Sequence, residues 1–431
     1  MPTDTINTIP PQDGGAFTRG PVIDFDHHSH EYWLDIDGYI DRARHTARVA
    51  WSPHHGGFWV VTRAKEAKWV AKHPEIFSSG RLGQPEGYSN LNIPPSFVGK
   101  GLLLEELDPP EHNKYRQIVN ATLAPRQVKE FLSQIGGWVT FLIDRFIEKG
   151  ECDFVKDFTS GVSALVTLNL LGFPTDEWEK YSGSFHNSVG NRPGTPEFEM
   201  GRQLVLWVDQ QCKEMVAERL RHPTNDATSL WLAYEIDGKP INPERVEMLL
   251  FHFMGGGTET TGSLLASVLN YLSEHPEHRQ PLLDDPELMD SATEEFLRVF
   301  PPAKAHGRVV VQDTELAGCK MKAGDRVLLS WVSTNRDEEV FGDDAAEVVL
   351  DRFPNRHSTF SNGPHRCPGS HIARAVFQES IRQILTRMPD YHIISEQVTR
   401  FPKQDMLGGY NRMPVVFTPG DRSKSPALMP A

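Results

Sequence analysis

The stretch Phe360–Gly369, FSNGPHRCPG, constrains this chain more than any other. It sets one cysteine, Cys367, among turn formers: Ser361, Asn362, Gly363 and Pro364 before it, Pro368 and Gly369 after it. A helical pattern follows, from His371 through Ile381, Ile384 and Leu385. The sulfur therefore sits where a glycine-bearing loop enters a helix. Free backbone N–H groups and the positive end of the helix dipole favour thiolate over thiol at such a place. The rest of the chain is expected to build a pocket over this sulfur.

The chain's four cysteines, Cys152, Cys212, Cys319 and Cys367, form no CxxC and no zinc-type spacing. That argues for a reducing, cytoplasmic compartment without disulfides. A single thiolate with no second cysteine nearby suits axial ligation of haem iron, where sulfur pushes electron density toward O–O cleavage. A net charge of −14 disfavours nucleic acid as a partner. No run approaches the ~20 apolar residues that span a bilayer, and MPTDTINTIPPQDGG has no signal pattern. At 431 residues the length prior suggests several domains, but no Gly/Ser-rich or charged linker divides the chain. We expect a loose segment over 1–25, one domain over 26–420, and a tail over 421–431.

Three further segments carry chemistry. Arg48 to Val60 alternates across the turn Pro53-His54-His55-Gly56-Gly57 and reads as a hairpin. In LDPPEHNKYR, Asp108 suits an N-cap and Pro109 the first helical position. His112 and Arg116 then lie four apart on one face, where two donors can grip one carboxylate. Asn242-Pro243 opens a long helix with an apolar stripe, interrupted by Gly255-Gly256-Gly257-Thr258-Glu259-Thr260-Thr261-Gly262. Each glycine costs a helix about 1 kcal/mol against alanine. Such a run implies that something flat approaches the backbone there and that Thr260 can reorganise the ladder.

F-x-x-G-x-x-x-C-x-G, with Phe360, Gly363, Cys367 and Gly369, resembles the haem-binding loop of the cytochrome P450 family, and the resemblance extends from about Trp33 to Phe417. It implies a mostly α fold with a small β region, shaped like a triangular prism. It implies haem b (iron protoporphyrin IX) with Cys367 as the axial iron ligand. His112, Arg116, Arg308 and His365 match propionate donors. Gly256, Glu259 and Thr260 match the small residue and acid–alcohol pair of the oxygen-binding helix, with Thr260 beside O2 and Glu259 relaying protons through water.

Glu295 and Arg298 match the structural E-x-x-R element, with Arg352 or Arg356 as third partner. Ser78–Lys100 matches the loop that roofs the pocket, offering Leu91 and Ile93. His252, one helical turn before Gly256, faces the cavity if Gly256 does, and Lys304 and Tyr410 fall on two other segments expected to enter it. The implied activity is insertion of one oxygen atom from O2 into a hydrophobic small molecule: a terpenoid, a steroid, or an aromatic with an oxygen function. Electrons would come from NAD(P)H through an acidic ferredoxin and its reductase, since the chain has no GxGxxG fingerprint. Lys114, Arg126, Arg356, Arg366 and Arg374 would flank the docking side. A cytoplasmic monomer of bacterial type, without a membrane partner, is expected. A peroxide-driven oxygenase or a non-catalytic haem-thiolate sensor are the alternatives; neither has use for the Glu259–Thr260 pair.

Overall fold

The computed structural model describes residues 18–97, 101–402 and 406–423. Residues 1–17, the end of the roof loop at 98–100, and the tail from 424 lie outside the described residues. Within the segment expected to be loose, Ile23 and Phe25 are packed. Ile23 N–H donates to Trp51 O at 2.9 Å, and Ile23 and Phe25 are buried. Two apolar side chains spaced by two bury together when the backbone pairs as an added edge strand.

About 53% of the chain is helical, with small sheets beside the helices, as expected. The hairpin forms: Val49–Ser52 pairs antiparallel with Phe58–Val61, with Trp51 opposite Trp59. Gly57 closes the turn at φ +91°, and a Cβ there would lie 2.1 Å from the Trp51 ring, so only glycine fits. Phe58–Val61 runs parallel to Arg326–Ser330, which pairs with Ala305–Val310 and so with Phe77–Ser78 in one five-stranded sheet. Fully buried Trp59 and Trp331 anchor one face of this sheet, and Phe25 and Phe58 the other.

The largest core belongs to the helices. Pro125–Asp144, Ser160–Leu171, Pro243–Thr258, Thr260–Glu274 and Ser370–Arg387 contribute most of its buried Leu, Ile, Val and Phe. Asn242 caps the long helix as expected, accepting from Glu244 N–H at 3.0 Å. That helix is divided at Glu259, whose φ/ψ of −102°/−39° separates Pro243–Thr258 from Thr260–Glu274.

Asp108 does not cap its helix. Its carboxylate accepts from Ser78 Oγ and from Ser79 N–H. It thereby staples the start of the roof loop, and Glu111–Thr122 begins at Pro110 without a side-chain cap.

Candidate active site

Behind the cysteine loop lies a guanidinium with no spare donor. Arg298 and Glu295 are wholly buried. Arg298 Nε and one terminal nitrogen bind the two Glu295 oxygens at 2.7 Å each, and the remaining N–H groups go to the carbonyls of Asn335, Ala345 and Glu347. All five donors of the fork are thus used. The third partner is Arg352, whose Nε lies 3.1 Å from Glu295 Oε1, rather than Arg356. Burial alone would raise the Glu295 carboxyl. The bonds from Arg298, the Val349 N–H and Arg352 outweigh burial and hold it low.

This brace fixes the loop that ends at Cys367. Cys367 N–H donates to Phe360 O at 2.8 Å. Gly363, at φ +70°, lies against the Ala64–Lys72 helix, where a Cβ would come within 2.3 Å of Ala71 O. Burial pushes the Cys367 thiol up; the Gly369 N–H, Arg116 and Arg366 work the other way. A sulfur in such a place becomes a thiolate when a cation binds it, which is what a metal ligand requires.

The other wall is the divided helix. Between the two walls lies a cavity lined by Arg116, His252, Gly256, Thr260, Phe360, His365, Cys367 and Gly369, with Leu123, Val166, Leu170, Phe253 and Ile372 supplying apolar surface. Gly256 is the opening a flat ring needs: a Cβ there would meet only His252, 4.0 Å away. Thr260 Oγ1 donates to Gly256 O at 2.8 Å, at the cavity wall.

At one end of the cavity Arg116 and His365 line the wall, and His112 and Arg308 lie behind it. The His112 and His365 rings lie 4.7 Å apart, both are largely buried, and Nε2 of neither is hydrogen-bonded; Asp108 Oδ1 lies 4.0 Å from that of His365. His365 Nδ1 bonds Leu104 O at 3.1 Å, so Nε2 is left over. Burial, then Arg308 and His112, push His365 down to about 2. Burial also lowers His112 and Arg116, and takes Arg308 to about 10. Four cationic or donating groups gathered at one end of the cavity fit the carboxylates of a haem edge. Glu105, which faces the same space, is pushed up by burial, which His306 and Arg308 only partly compensate.

Not every expected residue reaches this cavity. Leu91 and Ile93 line neither wall. Leu91 O accepts from Gly307 N–H at 2.7 Å, and Ile93 packs in the N-terminal core with Phe25 and Phe58. Lys304 and Tyr410 turn into a second cavity with Trp33, Asp37, Arg336 and Arg400. Lys304 Nζ donates to Pro301 O at 3.0 Å, and burial lowers it to about 8. Gly408–Tyr410 belongs to the same second cavity, because Gly408 N–H is tied to Pro302 O. His252 does face the main cavity: Nδ1 accepts from Leu104 N–H at 3.3 Å, and burial pushes it down to about 4.

Glu259 points away from the cavity. Nδ1 of His186 lies 3.3 Å from both of its oxygens, and Ser263 Oγ donates to Oε1 at 3.3 Å. Burial would lower His186, but Glu259 outweighs it and raises it. Nothing in the sequence marks His186 as part of the site, whereas His306, on the segment Lys304–His306 expected at the pocket edge, does line the cavity.

The chain matches the family model described as Cytochrome P450 over residues 199–388. A steroid C26-monooxygenase of Mycolicibacterium smegmatis is 29% identical over 351 residues, covering 81% of this chain and 84% of that protein. A linalool 8-monooxygenase of Pseudomonas putida is 29% identical over 390 residues, covering 88% and 94%. Among solved structures, a Mycobacterium marinum cytochrome P450 in complex with pseudoionone superposes with a TM-score of 0.83 at 24% identity, covering 93% of this chain and all of that one.

Proposed function

Because this chain belongs to the cytochrome P450 family and is a haem-thiolate monooxygenase, we propose that it hydroxylates a hydrophobic terpenoid or steroid with electrons relayed from NAD(P)H by a ferredoxin and its reductase. The observation that carries this reading is the facing of two walls across one cavity: the Thr260 hydroxyl on one side and the Cys367 sulfur on the other. The relatives' names, a steroid and a terpenoid oxygenase, support the substrate class, as does the Leu123, Val166, Leu170 and Phe253 lining.

Haem b fits the residues present. Cys367 would bind its iron, His112, Arg116, Arg308 and His365 would bind its propionates, and Gly256 would leave space for the ring. When bound, haem supplies the centre at which O2, two electrons and two protons become one oxygen atom in the substrate and one water.

The chain's own residues manage the protons and the water. Thr260 Oγ1 now gives its proton to Gly256 O; rotation about χ1 turns the same hydroxyl into the cavity. Glu259 is the reservoir behind it, because its carboxylate lies one residue before Thr260 at the point where the helix is divided. His186 and Ser263 hold that carboxylate in its outward position. A proton passes inward from Glu259 when it leaves His186 and reaches Thr260 through water. The apolar lining excludes bulk water from the substrate side, so protons arrive by this route rather than at random. His252 is the polar group best placed to meet a substrate oxygen: the Leu104 bond to Nδ1 puts the ring proton on Nε2, 3.9 Å from Glu105 Oε1.

A spin-state titration against terpenoids and steroids identifies the ligand. NAD(P)H consumption with surrogate ferredoxin and reductase, with 18O2 incorporation into product, then tests the reaction. Label from water, turnover with peroxide alone, or no turnover at all would each reject the proposal.

A further inference from the structure

The turn Pro53–Gly57 and the segment Asp24–His30 are rich in histidine, and the monooxygenase reaction uses none of them. The fold brings three together. His27, His28 and His55 each offer one imidazole nitrogen, and these nitrogens all lie within 4.8 Å of one another. The rings are close: centroids are 4.3 Å apart for His27–His28 and 4.7 Å for His28–His55.

Hydrogen bonds orient two of the three rings. His28 Nε2 bonds the Ile93 carbonyl at 2.7 Å, and His55 Nε2 bonds Asp26 Oδ1 at 2.7 Å. In each ring the acceptor on Nε2 places the proton there. A carboxylate or carbonyl on the far nitrogen is how metal-binding imidazoles are oriented. His27 is 2% exposed, and its Nδ1 has no partner.

The backbone is bent to the same end. His55 stands at φ +52°, a left-handed conformation that non-glycine residues seldom adopt. Strain of this kind concentrates at functional sites. Phe25 and Phe58 wall the cluster with apolar rings.

We propose that His27, His28 and His55 form a binding site for a borderline divalent metal of the zinc class, separate from the haem cavity. Imidazole nitrogens suit zinc, with a fourth position left for water. The ion would tie three segments together: the N-terminal strand, the Pro53–Gly57 turn, and, through the His28–Ile93 bond, the roof loop. It acts as a clasp on the roof and not as a reaction centre.

The test is zinc titration of the chelator-treated, tag-free holoenzyme by calorimetry, with zinc and iron counted by elemental analysis. We expect one zinc per haem iron and a raised melting temperature on zinc addition. The double variant His28→Gln/His55→Gln, checked by its reduced-CO spectrum, should weaken zinc binding by roughly 10-fold or more. Crystals soaked in zinc give an answer independent of any variant: an anomalous peak about 2.0–2.1 Å from the three rings supports the site. No saturable binding, binding unchanged in the double variant, or an anomalous peak elsewhere would each overturn it.

Discussion

Nδ1 of His186 is equidistant, at 3.3 Å, from the two carboxylate oxygens of Glu259. The pair is buried, and the histidine comes from the Trp178–Gly190 helix, 73 positions earlier in the chain. Glu259 raises His186 above its ordinary value. The pair's stabilisation is therefore present below the ordinary histidine value and is lost as pH rises through the raised one. Loss of the pairing frees Glu259 to turn toward Thr260. Product formed per NAD(P)H should rise along this alkaline limb, and His186→Gln should flatten the profile. A profile identical in wild type and variant would detach His186 from proton delivery.

Thr260 Oγ1 needs only a rotation to reach the cavity. In Thr260→Ala, haem content and substrate spin shift should persist, while product per NAD(P)H falls by roughly 10- to 100-fold and peroxide rises. Peroxide release equal to wild type would remove this hydroxyl from the relay.

The expected cationic docking face is thinner than the sequence suggests. Lys114 is paired with Asp237 at 2.6 Å, Arg126 with Glu130, and Arg374 with Glu294 at 2.5 Å. Arg356 and Arg366 are exposed, and Phe353 beside them in the chain is 92% exposed. Arg366→Glu should raise the apparent KM for an acidic ferredoxin ~5-fold at low salt, an effect that salt erases. Arg374→Glu should instead lower thermal stability, through repulsion with Glu294. Salt-independent electron transfer would exclude electrostatic docking.

Glu294 gives a pH signature of its own. Burial would raise its carboxyl, but the bonds from Arg374 and His357 outweigh burial and hold it at about 2. A depressed carboxyl stabilises the fold above its ordinary value and stops doing so as pH falls through the folded one. Between about pH 4.5 and 2, wild type should lose on the order of 2 kcal/mol that Glu294→Gln has already lost. Melting temperature against pH for the two proteins measures the difference.

Pro368 has no N–H to give the neighbouring sulfur, whereas the Gly369 N–H does bond it. Pro368→Leu adds a donor, which should draw electron density from the thiolate and raise the ferric/ferrous midpoint. If one donor contributes ~1 kcal/mol, the shift is about 40 mV. Spectroelectrochemistry measures it, and a midpoint unchanged or lowered with an intact thiolate spectrum would show that the missing donor does not tune the iron.

What was legible in the sequence was local. The Cys367 loop, the i,i+4 pair His112–Arg116, the i,i+3 pair Glu295–Arg298 and the hairpin alternation all lie within a few residues, where backbone periodicity fixes who meets whom. What was not legible crosses the chain. Asp108 reads as a helix cap but is taken by Ser78, 30 positions away. Lys304 and Tyr410 lie on the expected segments, yet the local path of the chain turns them to the other side. Arg352 and Arg356 are equivalent by composition, and only the packed loop selects between them.

The saturated fork of Arg298 also works as a ruler. One rigid, planar group sets the spacing of three carbonyls, those of Asn335, Ala345 and Glu347, relative to the helix that carries it. Lysine has three donors and no plane, so it cannot reproduce the measure. Nor can the segment between 336 and 344 gain or lose a residue without carrying Ala345 O out of reach. Recombination with a relative is therefore safest when its crossovers fall outside residues 295–352, so that the ruler and the three carbonyls it gauges are inherited from the same parent.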